Sequence, residues 1–199
     1  MKQYFKASLT PFLYLIFFAM IGFSITLINS PNLLFLEYIL CTVNIVFYCV
    51  IVGYAATVDG KKALKIREQN DSYRKVIART GEDLPIKVHE EFGVWKGYVI
   101  GAVACIPTVL LVIIQAIVSA LGGGIKIFGV IAVLLSQVVT SFFAVQLTSL
   151  ASSYFYVSLL IIPFVSMVYG TMYLVGGKKL EKSYANIHKT QKILHGDDE

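Results

Sequence analysis

The sequence predicts an all-α protein: a polytopic helical membrane bundle of four to five transmembrane helices with a cytoplasmic amphipathic helical loop. Three observations carry that expectation. Residues 127–177 run 51 positions without Asp, Glu, Lys or Arg, whereas a bilayer asks for about 20 apolar residues per helical span. The chain is 57% hydrophobic and 15% charged with a mean hydropathy of +0.73, against about 25% charged residues in an average soluble domain. Further apolar blocks of span length lie at 7–28, 38–58 and 97–121, bounded by polar or basic residues. A chain of 199 residues has room for one compact bundle, so residues 1–199 are expected to form a single membrane domain.

The first span, 7–28, follows Lys2 and Lys6 and has Pro11 in its opening turn, where proline is tolerated. Its apolar part is longer than a signal-peptide h-region and its exit lacks a small-x-small cleavage site, so it reads as a retained span. Asn29, Ser30, Pro31 and Asn32 signal a turn. The second span, 38–58, then returns across the membrane and completes a helical hairpin.

Residues 59–96 hold nine of the seventeen basic and seven of the twelve acidic residues, which places them in water or at the lipid surface and, by their basic content, on the cytoplasmic side. Within this loop Ala63, Ile66, Tyr73 and Ile77 recur at helical spacing and predict an amphipathic helix ending near Thr80 and Gly81, before Pro85. Trp95 and Lys96, residues suited to an interface, introduce the third span, 97–121. Gly122, Gly123, Gly124 and Lys126 make the outer turn. The long uncharged run divides at Ser152, Ser153 and Tyr154 into 127–147 and 155–177, and a basic tail, 178–199, follows.

The number of spans decides the side of the tail. Two full spans in the long run give five in all and leave eleven basic residues inside and six outside. One full span there, with 127–147 interfacial or re-entrant, gives four and puts every basic residue but Lys126 inside. The positive-inside rule favours four.

Several residue sets could carry packing or function. Gly93, Gly97, Gly101 and Cys105 place small side chains at every fourth position of the third span and its entry, with a similar spacing in Cys49, Gly53 and Thr57. Such a face admits a second helix closely, either from the same chain, the favoured reading, or from a copy or partner. Pro107 and Pro163 each remove a backbone hydrogen bond and are expected to kink their spans, as shape before any hinge. Gln137, Ser141, Asn44 and Gln115 are the polar side chains available to line a path for a neutral solute, although interhelical hydrogen bonding is the favoured role.

No charged residue lies within any proposed span, unlike in transporters that couple to ions or protons. Cys41, Cys49 and Cys105 sit in apolar blocks and match no metal spacing, so free buried thiols are expected. His89, His188 and His195 likewise match no metal motif, and no nucleophile elbow or phosphate loop occurs. No metal, cofactor, catalytic residue or nucleic-acid partner is therefore expected.

In layout the chain is similar to small multi-span bacterial membrane proteins: a basic loop, the entry Trp95-Lys96-Gly97, a proline-bearing third span, and a last span that closes on Gly176-Gly177-Lys178-Lys179. The resemblance implies a multi-pass protein of the cell membrane and no particular activity. The leading expectation is a non-enzymatic accessory or structural subunit that packs with itself, as a homo-oligomer, or with a membrane-protein partner in the lipid bilayer. The alternative is a transport component for a neutral or hydrophobic solute. A membrane enzyme ranks third, because its acid and base would have to come from scattered residues.

Overall fold

The computed structural model describes residues 2–27, 34–122, 126–140 and 155–195. All regular structure among them is helical. The elements are α1 (Lys2–Thr26), α2 (Leu34–Thr80), a 3₁₀ turn (Val88–Glu90), α3 (Lys96–Ala104), α4 (Ile106–Ala120), α5 (Ile127–Leu135), α6 (Gln137–Thr140), a second 3₁₀ segment (Phe155–Leu160) and α7 (Ile161–His195).

Three of these helices, α1, α2 and α7, are long and apolar enough to cross a membrane, and α3 with α4 makes a fourth if the pair is one span bent by 46°. The expected span at 127–147 is described only as far as Thr140, as helices of 9 and 4 residues. Neither has the length of a span by itself.

The boundaries depart from the sequence expectation at both ends of α2, at the start of α1 and in α7, which runs on to His195 through the expected tail. The second span and the amphipathic loop helix are one element, because α2 runs unbroken for 47 residues, about 70 Å at 1.5 Å per residue. Residues 59–80 are mostly strong helix formers without proline, so the change from apolar to charged composition gives the helix no reason to stop. It stops at Gly81, whose φ of 71° is the left-handed conformation of a helix C-cap. The same helix begins at Leu34, so Glu37, which precedes the apolar block 38–58, lies in its first turn and is buried.

Helix α1 starts at Lys2, ahead of the apolar block. Pro11 is therefore inside the helix, fully buried, and not in its opening turn. The expected third span is broken at Cys105, two residues before Pro107, which occupies the first turn of α4. Pro163 is the third residue of α7, preceded by the 3₁₀ segment. A proline in that position starts a helix, because the missing N–H would have had no partner there.

Contacts fix how the helices run. Against α2, α1 is antiparallel: Asn44 Nδ2 donates to the Phe18 carbonyl at 3.1 Å, Phe18 meets Tyr48 edge to face at 5.7 Å, and the start of α1 lies near Asp59 and Lys62. Helix α7 runs parallel to α2, with Tyr48 stacked on Phe164 at 5.8 Å and Thr57 Oγ1 donating to the Met172 carbonyl at 3.3 Å. Against α7, α3 is antiparallel. The starts of α1 and α3, residues 57–63 of α2 and residues 173–177 of α7 thus gather at one end of the bundle, the loop end.

Between the helices lies a core of Leu15, Phe18, Tyr48, Val52, Ala56, Ile100, Val165 and Tyr169. A smaller cluster of Val112, Ala132 and Val133 joins α4 to α5. The outward faces are apolar as well. Phe5, Leu9, Leu13 and Phe17 form an exposed stripe on α1, as do Val43, Val46, Phe47, Val50 and Tyr54 on α2, while Asn44, Thr108, Gln115, Ser136 and Gln137 are buried. A helix in water places these classes the other way round.

Candidate functional site

The loop end is built on backbone contact between α2 and α7. A Cβ on Gly60 would overlap the Tyr173 carbonyl, and one on Gly176 would overlap the Thr57 carbonyl. Only glycine lets the two backbones cross this closely. Above the crossing, the Tyr169 hydroxyl of α7 donates to Asp59 Oδ2 of α2 at 2.7 Å. Lys62 reaches the other oxygen of Asp59 at 3.9 Å.

The loop after Gly81 folds back along α2. Buried Asn70 is the anchor: its Nδ2 donates to Glu91 Oε1 at 2.8 Å, and its Oδ1 accepts the Lys87 N–H at 3.1 Å. Arg74 completes the clamp, donating to the same Glu91 oxygen and to Asp71, each at 2.7 Å. The Phe92 N–H then bonds the Ala63 carbonyl at 3.1 Å. The Phe92 ring stacks on Tyr173 at 5.3 Å, resting against Gly177, where a Cβ would overlap it. Lys96 at the head of α3 donates to the His89 carbonyl at 2.8 Å and the Glu91 carbonyl at 3.1 Å.

These segments line an open cavity of about 400 Å³, within the range of small-molecule sites. Its charged and titratable lining comes from four elements: Lys6 of α1, Asp59 and Lys62 of α2, His89 and Glu90 of the 3₁₀ turn, and Lys96 of α3. Tyr4, Ala7, Ala63, Ile66, Ile100 and Tyr173 supply its apolar walls. With three lysines, two carboxylates and a histidine, the site can bind groups of both signs. Among the described residues no cluster of three or more His, Cys, Asp or Glu side chains is placed to hold a metal ion. The side chains of His188 and His195 lie outside the described set.

The residues singled out by the sequence fall elsewhere in the bundle. Gly97 and Gly101 face α7: a Cβ at Gly97 would lie 2.7 Å from Tyr173 Cβ, and one at Gly101 would lie 2.7 Å from Ser166 Cα. Cys105 continues this face, its thiol directed at the Gly101 carbonyl at 3.5 Å and the Ile161 carbonyl at 3.7 Å. Gly93 is not part of it, standing in the loop before α3 with its nearest neighbour, Lys96 Cβ, at 3.8 Å. On α2, Gly53 packs on Met172 and Cys49 is half-buried beside the core.

The four polar residues separate. Gln137 and Asn44 come together against Gly22 of α1. Gln137 Nε2 approaches Thr26 Oγ1 at 3.4 Å, and its Oε1 accepts from Thr140 at 3.5 Å. Gln115 lies between α4 and α5, accepting the Gly129 N–H at 2.9 Å and donating to Ser119 at 3.1 Å. Ser141 lies outside the described residues. None of the other three lines the loop-end cavity.

Asn70, Gly60, Gly176 and the cavity-lining lysines were not anticipated as a group. The available signals were the buried-side position of Asn70 in the stripe Ala63, Ile66, Tyr73 and Ile77, and the paired glycines Gly176 and Gly177 just before the basic tail. Comparison of the chain with protein-family models, with curated proteins and with solved structures finds no match.

Proposed function

We propose that this chain is a non-enzymatic, multi-pass cell-membrane protein of four spans. Helices α1, α2, the bent α3–α4 pair and α7 are the spans, residues 127–147 re-enter or lie in the interface, and the N-terminus, charged loop and tail are cytoplasmic. Its role is that of an accessory or structural subunit. The apolar outward stripes support the membrane setting, as do exposed Trp95 and Tyr54 near the loop end, where aromatic residues favour the interface.

One observation carries the subunit reading. Helix α2 continues from its apolar half into its charged half without a break, and the loop is tied to it by Asn70, Arg74 and Glu91. The transmembrane bundle and the cytoplasmic surface are then one stiff body, suited to holding a partner at a fixed height above the bilayer. Gln137 and Gln115 engage in separate helix-to-helix contacts, which weakens the case for a solute path.

Solubilisation from native membranes in mild detergent, followed by mass determination of the intact assembly, tests this reading. An assembly larger than the 22.0 kDa protomer is expected, and reversing the exposed charges Lys65, Arg67 and Lys75 to Glu is expected to dissociate it. A wild-type protein that is monomeric in every mild detergent would overturn the subunit role.

A further inference from the structure

We infer that the loop-end cavity binds the headgroup of a zwitterionic aminophospholipid, with the phosphate toward Lys6 and Lys62 and the ammonium toward Glu90. The inference rests on the four-span reading, which sets the cavity at the level of the cytoplasmic headgroups.

Two of the charged groups are already engaged. The Lys96 ammonium is held by two carbonyls, and Asp59 accepts from Tyr169. Lys6 and Glu90 line the same cavity from opposite elements with no hydrogen bond or ion pair to their charged groups among the described residues. Lys62 has only the long contact to Asp59, and its side chain is 70% exposed. What remains for a ligand is two ammonium groups, one carboxylate and the His89 imidazole.

A phosphodiester bearing an amine meets both signs of that set, because its phosphate oxygens can accept from both lysines while its ammonium faces the carboxylate, leaving one net positive charge in the site. A polyanion would meet Glu90 and Asp59, and an anionic lipid without an amine would leave Glu90 facing only the Lys96 ammonium, which two carbonyls already hold. The walls argue for a lipid over a free headgroup. Tyr4 and Ala7 offer partly exposed apolar surface suited to glycerol and the first methylenes, and the α1 wall adjoins the exposed stripe of Phe5, Leu9 and Leu13, along which acyl chains can lie.

The test is native mass spectrometry of the full chain released from nanodiscs containing equal phosphatidylethanolamine and phosphatidylglycerol. Wild-type protein should retain phosphatidylethanolamine in preference, and the double variant Lys6→Ala, Lys62→Ala should lose retention of it by about tenfold or more. Glu90→Gln should abolish the preference between the two lipids while thermal stability is unchanged. Soluble phosphoethanolamine should fail to displace the lipid at equal concentration. An incorporated protein that retains no lipid, a Glu90→Gln variant with undiminished preference, or displacement by free phosphoethanolamine would each overturn the assignment. A chain that does not enter nanodiscs at all would instead defeat the membrane-spanning reading beneath it.

Discussion

Replacing Gly101 with alanine puts the packing of α3 on α7 to a direct test. The added Cβ would sit 2.7 Å from Ser166 Cα, 3.0 Å from the Val165 carbonyl oxygen and 3.1 Å from the Ser166 nitrogen. All three are backbone atoms of α7, so no side-chain rotation relieves the overlap. Bringing the closest pair to the 3.4 Å at which ordinary contact begins requires α3 to move by about 0.7 Å, and a gap of that size forfeits about a quarter to a half of each dispersion contact across it. Overpacking of this kind costs about 1–3 kcal/mol, offset by up to about 1 kcal/mol from the better helix propensity of alanine. The net expectation is a loss of about 1–2 kcal/mol, or a fall of roughly 2–8 °C in Tm for a chain of this length. Thermal denaturation in detergent, followed by reaction of a thiol dye with buried Cys105, reads both the stability and the opening of this interface. Gly93→Ala is the control, because its Cβ meets nothing nearer than 3.8 Å, and a change within about 0.5 kcal/mol is expected. Equal stability of Gly101→Ala and wild type, or an equal loss in both variants, would refute the close-packing argument.

Three further outcomes can be checked in the same preparation. Tyr169→Phe removes the hydroxyl that bonds Asp59; with that carboxylate partly solvated, a loss of about 1 kcal/mol is expected in denaturant titration. Gln115→Leu leaves the Gly129 N–H without its acceptor between α4 and α5 and should cost about 1–3 kcal/mol, read as a lower Tm with unchanged helical content. Arg74→Ala should speed proteolysis within residues 81–95 about two- to fivefold, matching a coupling to Glu91 of about 0.5–1 kcal/mol in a double-mutant cycle; an unchanged cleavage rate would argue that Asn70, Phe92 and Lys96 hold the loop without Arg74.

Local chemistry made part of this fold legible in the sequence. Gly81 ends α2 where a glycine ahead of a proline was expected to end a helix, and Pro107 marks the break in the third span, because its missing N–H disrupts the turn just before it. What local chemistry does not encode is where a helix stops being a span. Lys61, Lys62 and Glu68 are as compatible with a helix as the valines before them, so hydropathy marks a change of composition at Asp59 and not the continuity of α2. Pro11 shows the same limit at the other end of the chain, since polar residues ahead of the apolar block extend α1 backwards.

The candidate site was less legible for a different reason. Lys6, Asp59 and the pair Glu90 and Lys96 are far apart in sequence, and each taken alone is an ordinary residue beside an apolar block or in the charged loop. They converge because α1 and α3 start, and α2 and α7 cross, at the same end of the bundle. The crossing depends on Gly60 and Gly176, a pair contributed by two different helices, and spacing along a single helix does not reveal such a pair. The face of Gly97 and Gly101 was visible as a packing face, but which helix fills it, α7 of the same chain, is a tertiary fact.

The most direct test of the four-span arrangement is the sidedness of three positions, read by labelling single introduced cysteines in intact cells with an impermeant maleimide. Cysteines at Lys75 in the charged loop and at Asn186 near the end of α7 should be protected until the membrane is opened, whereas one at Lys126 should label at once. Labelling of the Asn186 position from outside, with the Lys75 position still protected, would place the loop and the tail on opposite sides of the membrane. That result would contradict the shared cytoplasmic end on which the proposed function rests.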